Sequence, residues 1–122
     1  MLQMSYKKLQ VWQKSMTLAK LTYALSKSFP RDERYGLTSQ IRRSAISVPS
    51  NIAEGSQRGS QKEFMHFVLI ARGSLAELET QLLLADQFEY CQEKDLSGIL
   101  SLLEEVSRML YAFYSSLTTH DS

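Results

Sequence analysis

Hydrophobic residues recur at alternating steps of three and four along four segments of the chain, at about 7–28, 33–55, 61–88 and 93–118. This spacing places them on one face of an α-helix, and no segment shows the sustained alternation of apolar and polar residues that is typical of a strand. Short connections between long amphipathic helices make neighbours antiparallel. The pattern therefore predicts an all-α, up-down-up-down four-helix bundle that occupies residues 1–122 as one domain.

Local signals refine the helix ends and predict one bend. Ser60 and Glu63 have the spacing of a capping box, which marks the start of the third helix. Gly55 stands where a C-terminal cap of the second helix is expected. Pro49 lies inside that helix, where its ring removes a backbone donor, so the sequence predicts a kink there. Such a kink either serves only the packing of the second helix against its neighbours or shapes a binding groove.

Two helices carry a second apolar stripe beside the one that is expected to line the core. In the third helix the expected core stripe runs from Phe64 to Ala85, and in the first helix it contains Leu9, Trp12, Met16, Ala19 and Tyr23. The expected core stripes of the second and fourth helices are Leu37, Ile41, Ala45, Val48 and Ile52, and Leu96, Ile99, Leu103, Val106, Leu110, Phe113 and Leu117. Because a monomer would expose the second stripes, they predict oligomerisation, although wide apolar faces are also ordinary in small bundles. The residues predicted at the oligomer interface are Val11, Leu18, Leu25, Tyr35, Arg42, Met65, Leu69 and Leu83.

Two adjacent arginines of the second helix are predicted to have different roles. Arg42 flanks the apolar stripe, so we expect it to be half buried at a subunit contact, where its guanidinium can pair with Glu77 or Glu79. Arg43 lies on the polar face, where it is available to phosphate. For both arginines an ordinary ion pair is the alternative.

Charge is distributed unevenly, although the formal net charge is only +1. The first 62 residues carry eleven Lys and Arg against three Asp and Glu, and the remainder carries three against ten. This asymmetry indicates either a surface for an electrostatic partner or basic and acidic helices that pair within one bundle. The residues predicted to bind nucleic acid are Arg43, Arg58 and Lys62, with Lys7 and Lys14 in support.

Arg58 and Lys62 belong to the loop GSQRGSQK at residues 55–62, which precedes a helix N-terminus. Free N–H groups and the helix dipole favour an anion at such an end. The spacing of a P-loop is absent, and a plain flexible turn is the alternative.

Catalytic and metal-binding patterns are weak. Glu63 and His66 match the Glu-x-x-His element of di-iron bundles, but that site needs two such elements and two further glutamates. His120 is the only other histidine, and two histidines with the single Cys91 do not make a zinc set. We therefore expect no enzyme, no metal, no cofactor and no small-molecule substrate.

The sequence shows no pattern that is typical of a secretion signal or of a membrane span. The sequence has no charged-then-apolar leader segment, and no apolar run approaches the roughly 18 residues of a membrane span. With only one cysteine, these features favour a cytoplasmic protein without a membrane partner.

Three segments carry a resemblance to a known family: LQVWQKSM, FPRDERYGLTSQIRRSAISVPSNIAEG and IARGSLAELETQLLLA. From Tyr6 to Leu117 the chain resembles the bacterial, ribosomal-protein-like four-helix bundles that are encoded in intervening sequences of 23S ribosomal RNA genes. It is also similar to the accessory variability protein of diversity-generating retroelements, a strongly basic pentamer that binds nucleic acid. The resemblance implies a homopentameric ring of bundles.

Two functions are open at this point. The first is a homo-oligomer that binds RNA or DNA without strong sequence readout, which the basic half of the chain and the resemblance favour. The second is a scaffold for a protein partner, without a nucleic-acid role. It is favoured by the low net charge and by a lack of interleaved exposed aromatic residues for base stacking.

Overall fold

Four α-helices make up most of residues 5–119, the part of the chain that the computed structural model describes. They are α1 (Gln10–Ser26), α2 (Leu37–Ser56), α3 (Gln61–Gln87) and α4 (Glu93–Thr119). Two short 3-10 turns, Tyr6–Lys8 and Arg31–Glu33, precede α1 and α2, and there is no strand within residues 5–119. The predicted all-α class with four helices is confirmed.

Each helix packs against two neighbours, so that α1 and α3 both lie between α2 and α4. Contacts between helices give their directions. Phe64 at the start of α3 packs edge to face on Phe113 near the end of α4, with ring centroids 5.1 Å apart. Gly55 at the end of α2 lies against Phe64 and Phe67 in the first turns of α3. Neighbouring helices are therefore antiparallel, as in an up-down-up-down bundle.

The hydrophobic core is formed by one stripe from each helix. In α2, α3 and α4 these are the predicted stripes, with only some positions near the helix ends half buried. The buried side chains of these stripes are Ile41, Ala45, Val48, Ile52, Val68, Ala71, Leu75, Leu78, Leu82, Ala85, Leu96, Ile99, Leu103, Val106 and Leu110. Helical periodicity alone was sufficient to identify the core face of these three helices.

In α1 the two apolar stripes are exchanged relative to the prediction. Val11, Leu18 and Leu25 are buried inside the chain's own core, so their predicted place at an oligomer interface is wrong. Ser15 and Thr22 lie between them and are also fully buried. Their hydroxyls donate to the carbonyls of Val11 and Leu18, at 2.6 and 2.8 Å, which satisfies both polar groups within the helix.

The helix ends follow local chemistry. Ser60 Oγ accepts the backbone N–H of Glu63 at 3.1 Å, so the predicted cap of α3 is confirmed. Gly55 is not a cap, because α2 continues to Ser56. A Cβ at position 55 would lie 2.7 Å from Phe67 Cβ, so glycine permits a close approach of α2 and α3.

Helix α2 is continuous through Pro49, and the bend there stays a prediction.

The starts of α1 and α2 come later than predicted. Residues 6–8 and 31–33 form 3-10 turns instead of the first turns of these helices. Among residues 5–119, no helix is both long enough and apolar enough to cross a membrane.

Candidate nucleic-acid interface

The outer face of α2 forms an open groove that contains three arginines, and we call it the arginine groove. Positions on this face lie opposite the buried stripe of α2. Its lining residues are Tyr23, Arg34, Tyr35, Thr38, Ser39, Arg42, Arg43, Ile46, Ser47, Ser50, Asn51 and Glu54. Glu54 is the single acidic residue among them. Three guanidinium groups therefore face a groove whose other polar groups are mainly hydroxyls and one amide.

Tyr35 is the most prominent side chain of the arginine groove, with 87% of its surface exposed. The guanidinium carbon of Arg34 lies 5.6 Å from the centre of the Tyr35 ring. Such a distance permits a cation–π interaction. The groove thus combines an exposed aromatic face with positive charge.

The turn that carries Tyr35 is held from two sides by Glu33. One carboxylate oxygen, Oε1, accepts the backbone N–H of Leu37 at 3.1 Å, and the other accepts the hydroxyl of Tyr90 at 2.8 Å. The bond from Leu37, and after it the bond from Tyr90, hold the pKa of Glu33 below its ordinary value. The bond to Glu33 in turn raises the pKa of the Tyr90 hydroxyl. A Cβ at Gly36 would lie only 2.8 Å from Glu33 Oε1, so glycine makes room for the carboxylate.

Arg42 is anchored on α1 of its own chain. Its Nε donates to Ser26 Oγ at 2.7 Å, and its guanidinium carbon lies 4.8 Å from the centre of the Tyr23 ring. Within the chain it therefore contacts α1 and not the predicted partners Glu77 and Glu79 of α3. It is half buried, as expected.

Arg43 points toward solvent at the boundary of two grooves. Within residues 5–119 its side chain makes neither an ion pair nor a hydrogen bond. On one side lies the arginine groove, and on the other a smaller polar groove between α2 and α3 that includes Glu77 and Gln81. Within the described residues, the charge of Arg43 is thus not compensated by an ion pair, and its side chain is available to a phosphate.

The other predicted basic residues do not join this groove as a single surface. Arg58 pairs with Glu54 at 2.7 Å and lies 4.8 Å over the Phe67 ring, so its charge is compensated. Lys14 pairs with Glu105 of α4 at 2.9 Å, on the far side of α1. Lys7 and Lys62 are exposed. The structure brings Arg43 together with Arg34 and Arg42 instead.

Arg34 was not predicted as a binding residue. It lies in the turn before α2, and a helical wheel does not predict the directions of side chains in a turn. The adjacent Tyr35 was predicted at the oligomer interface. Its contact with Arg34 depends on the conformation of this turn, which the sequence pattern does not give.

Few basic residues are neutralised across helices. Within residues 5–119, the ion pair between Lys14 and Glu105 is the one that joins the basic half to the acidic half. Of the other pairs, Arg58 in the loop after α2 bonds to Glu54 of that helix, and Arg108 pairs with Glu104 within α4. Internal pairing therefore does not account for the charge asymmetry.

A second groove, between α1 and α2, is predominantly apolar, and we call it the apolar groove. The stripe of α1 that was predicted in the core lines it, and Met16 is 40% and Ile46 44% exposed. Its apolar lining residues are Tyr6, Trp12, Met16, Ala19, Tyr23, Ala24, Ile46, Pro49 and Ala53. It adjoins the arginine groove, since both include Tyr23, Ile46 and Ser50.

The second stripe of α3 faces outward. Leu69 and Leu83 are each 44% exposed, whereas Met65 is half buried. Gly73 and Ala76 lie between them on the exposed side. The outer face of α3 is thus apolar or small over several turns, a surface composition that is typical of interfaces.

Groups that could support catalysis are dispersed. Residues 5–119 contain no cluster of three His, Cys, Asp or Glu that could hold a metal ion. His66 is exposed beside the Phe67 ring, and His120 lies outside the described residues. Burial, together with Asp86 and Asp95, raises the pKa of the Cys91 thiol, which opposes formation of a nucleophilic thiolate.

Comparison with known proteins agrees with this architecture. A crystal structure from Bacteroides thetaiotaomicron VPI-5482, of a protein with unknown function from the S23 ribosomal protein family, is 27% identical to the chain. The match covers 85% of this chain and 97% of that one, with a TM-score of 0.79. No curated protein matches the sequence. The model of the 23S rRNA-intervening sequence protein family matches residues 7–112, and the chain belongs to that family.

Proposed function

We propose that the chain is a cytoplasmic, homo-oligomeric bundle that binds RNA without strong sequence readout and without catalysis. The observation that carries the proposal is the arginine groove, where Arg34, Arg42 and Arg43 lie with a single carboxylate. That carboxylate, Glu54, already accepts a bond from Arg58. The groove is consequently a positive surface on a nearly neutral chain.

Arginine is suited to this role because its planar guanidinium is permanently charged and can bind phosphate with two hydrogen bonds. Neutralising a phosphate releases condensed counterions, so affinity increases with each contact and falls with salt. The ribosomal family name of the structural neighbour supports RNA as the polyanion.

The proposal includes assembly as a pentameric ring, which the family resemblance implies. Two exposed apolar surfaces support it: the apolar groove and the outer face of α3 around Leu69 and Leu83. They lie on different helices, so contact between them would be head to tail, and such a contact generates a ring when the rotation closes. Pro49 is buried at the edge of the apolar groove, where the predicted bend of α2 would shape the contact.

A ring would repeat the arginine groove in every copy. Repetition concentrates positive potential on one assembly and raises the effective concentration of neighbouring sites. The low net charge of a single chain is then compatible with useful affinity for RNA.

The test is a filter-binding titration on a structured RNA at about 50 and about 200 mM salt. We expect tight binding at the lower salt and a marked decrease in affinity at the higher salt. The double variant Arg34→Ala/Arg43→Ala should bind more weakly, and its salt slope should be smaller by about one for every phosphate that it no longer neutralises. Arg108→Ala, which removes the same type of charge from α4, is the control and should leave binding unchanged. Absence of binding at low salt, or binding that is indifferent to salt, refutes the proposal.

A protein scaffold is the second candidate, and the apolar groove favours it, because an open surface that includes Trp12 and Met16 suits a partner's side chains. Charge reversal of Arg43 and Arg58 separates the two candidates. A scaffold would keep its assembly and its partner, whereas the RNA-binding protein would lose RNA.

A further inference from the structure

Packing of the fold does not explain why the Tyr35 side chain is exposed on this surface. A ring that is 87% exposed contributes little to the core, and the turn that carries it is held by the bonds of Glu33 to Leu37 and Tyr90. An exposed aromatic ring within a positive groove is the arrangement that single-strand binding proteins use, because every base has a face that can stack.

We infer that the arginine groove takes single-stranded RNA in preference to duplex, with an unpaired base stacked on the Tyr35 ring and an adjacent phosphate against Arg43. This inference rests on the proposed function and narrows its ligand. It also replaces the expectation that the surface lacks an aromatic residue for stacking.

The dimensions and chemistry of the groove support this choice. The groove is open to solvent, and its volume of about 720 Å³ is within the range of small-ligand sites, so a single nucleotide can lie in it. The hydroxyls of Ser39 and Ser50 line it and are available to base edges or to the ribose 2′-OH. A duplex would offer phosphate to Arg43 but no free base to Tyr35.

Arg34 and Arg42 contribute in different ways. Arg34 lies over one face of the Tyr35 ring, so a base would stack on the other, exposed face. Arg42 is held by Ser26 and Tyr23, so its guanidinium is already oriented at the wall of the groove. Arg43, which has no partner within residues 5–119, is the side chain most available to a phosphate.

The experiment compares an unstructured single-stranded RNA with a hairpin duplex of equal phosphate number, by fluorescence anisotropy at one low salt concentration. We expect the single strand to bind more tightly. Tyr35→Leu should weaken single-strand binding by on the order of tenfold and leave duplex binding unchanged, while Tyr35→Phe should retain it. The matched control is Tyr111→Leu, since Tyr111 is another exposed tyrosine with an arginine, Arg72, 5.3 Å from its ring.

A change in the ligand provides a second readout that does not depend on folding of a variant. A single strand with abasic sites keeps its phosphates but removes the bases, and it should bind native protein about as weakly as the intact strand binds Tyr35→Leu. Equal affinity for intact strand, abasic strand and duplex would overturn the inference while the proposed function stands. Failure of native protein to bind any RNA at low salt would remove both.

Discussion

The contact between α2 and α3 at Gly55 provides a quantitative test of the packing that supports the arginine groove. In Gly55→Ala the new methyl would lie 2.7 Å from Phe67 Cβ and 3.0 Å from Phe64 Cδ1. The nearer distance is too short for two carbon atoms, and Phe67 Cβ is fixed to the backbone of α3. The helices must therefore separate by some tenths of an ångström, or the side chains must leave their preferred rotamers.

Two opposing terms set the magnitude. Alanine is favoured over glycine inside a helix by up to about 1 kcal/mol, and less at Gly55 because it lies in the last turn of α2. Overpacking of a well-filled contact costs about 1–3 kcal/mol. The expected net result for Gly55→Ala is a loss of about 1–2 kcal/mol in the free energy of unfolding.

Gly98→Ala is the matched control. Gly98 is exposed in α4, and a Cβ there meets no atom within 4 Å. Only the propensity term remains, so this variant should gain about 1 kcal/mol. The same chemical change is thus expected to have opposite signs at the two positions.

Urea unfolding followed by circular dichroism measures both variants. All proteins are compared at one concentration, because the proposed assembly would make apparent stability depend on concentration. Gly55→Ala with a stability equal to or above that of the native protein would refute the close contact.

Four further variants test the cap, the network of Glu33, the exchange of stripes and the outer face of α3. Ser60→Ala removes the cap of α3 and should cost about 0.5–2 kcal/mol in urea unfolding, so an unchanged midpoint would contradict the cap. Tyr90→Phe removes one bond that lowers the pKa of Glu33. The ionised Glu33 carboxylate stabilises the fold above its ordinary pKa, and this stabilisation is lost as the pH falls through the lowered pKa. The Tm of Tyr90→Phe should therefore fall less on acidification than the Tm of the native protein. An equal fall for both proteins would contradict the effect of the Tyr90 bond on the Glu33 pKa. Leu18→Ala should cost about 2–5 kcal/mol, whereas Leu69→Glu should keep its circular dichroism spectrum but show a smaller mass in light scattering. An unaltered mass for Leu69→Glu would remove the outer face of α3 from the interface.

Much of the fold was predictable because the core stripe of α2, α3 and α4 is continuous. The failure in α1 has a specific cause. Ser15 and Thr22 interrupt the true core stripe, and a helical wheel counts them as polar. Both hydroxyls bond to the carbonyl four residues earlier, so the helix buries them without an unsatisfied group. Trp12 and Met16 are large and apolar and made the neighbouring stripe look more like the core, and Leu9, Trp12 and Ala19 of that stripe do pack, half buried, against the core.

The candidate site was predictable only in part. Arg43 was found because the polar face of α2 follows helical periodicity. Arg34 and Tyr35 precede the helix, and their positions depend on the 3-10 turn and on the bonds of Glu33 to Tyr90, which is 57 residues away. Such a long-range bond has no periodic signature in the sequence. By contrast, neutralisation of Arg58 by Glu54 was readable from their separation of four residues.

The exchange of stripes in α1 also changes how assembly and RNA binding relate. With Val11, Leu18 and Leu25 in the core, the apolar surface of α1 is the one that borders the arginine groove. Tyr23 belongs to both grooves and lies under the guanidinium of Arg42. A copy packed on the apolar groove would therefore exclude water beside Arg42, and lower local dielectric strengthens the attraction of a guanidinium for phosphate. Assembly and RNA binding would then share one structural element, and each would favour the other to the same extent, since coupling between two binding events is reciprocal.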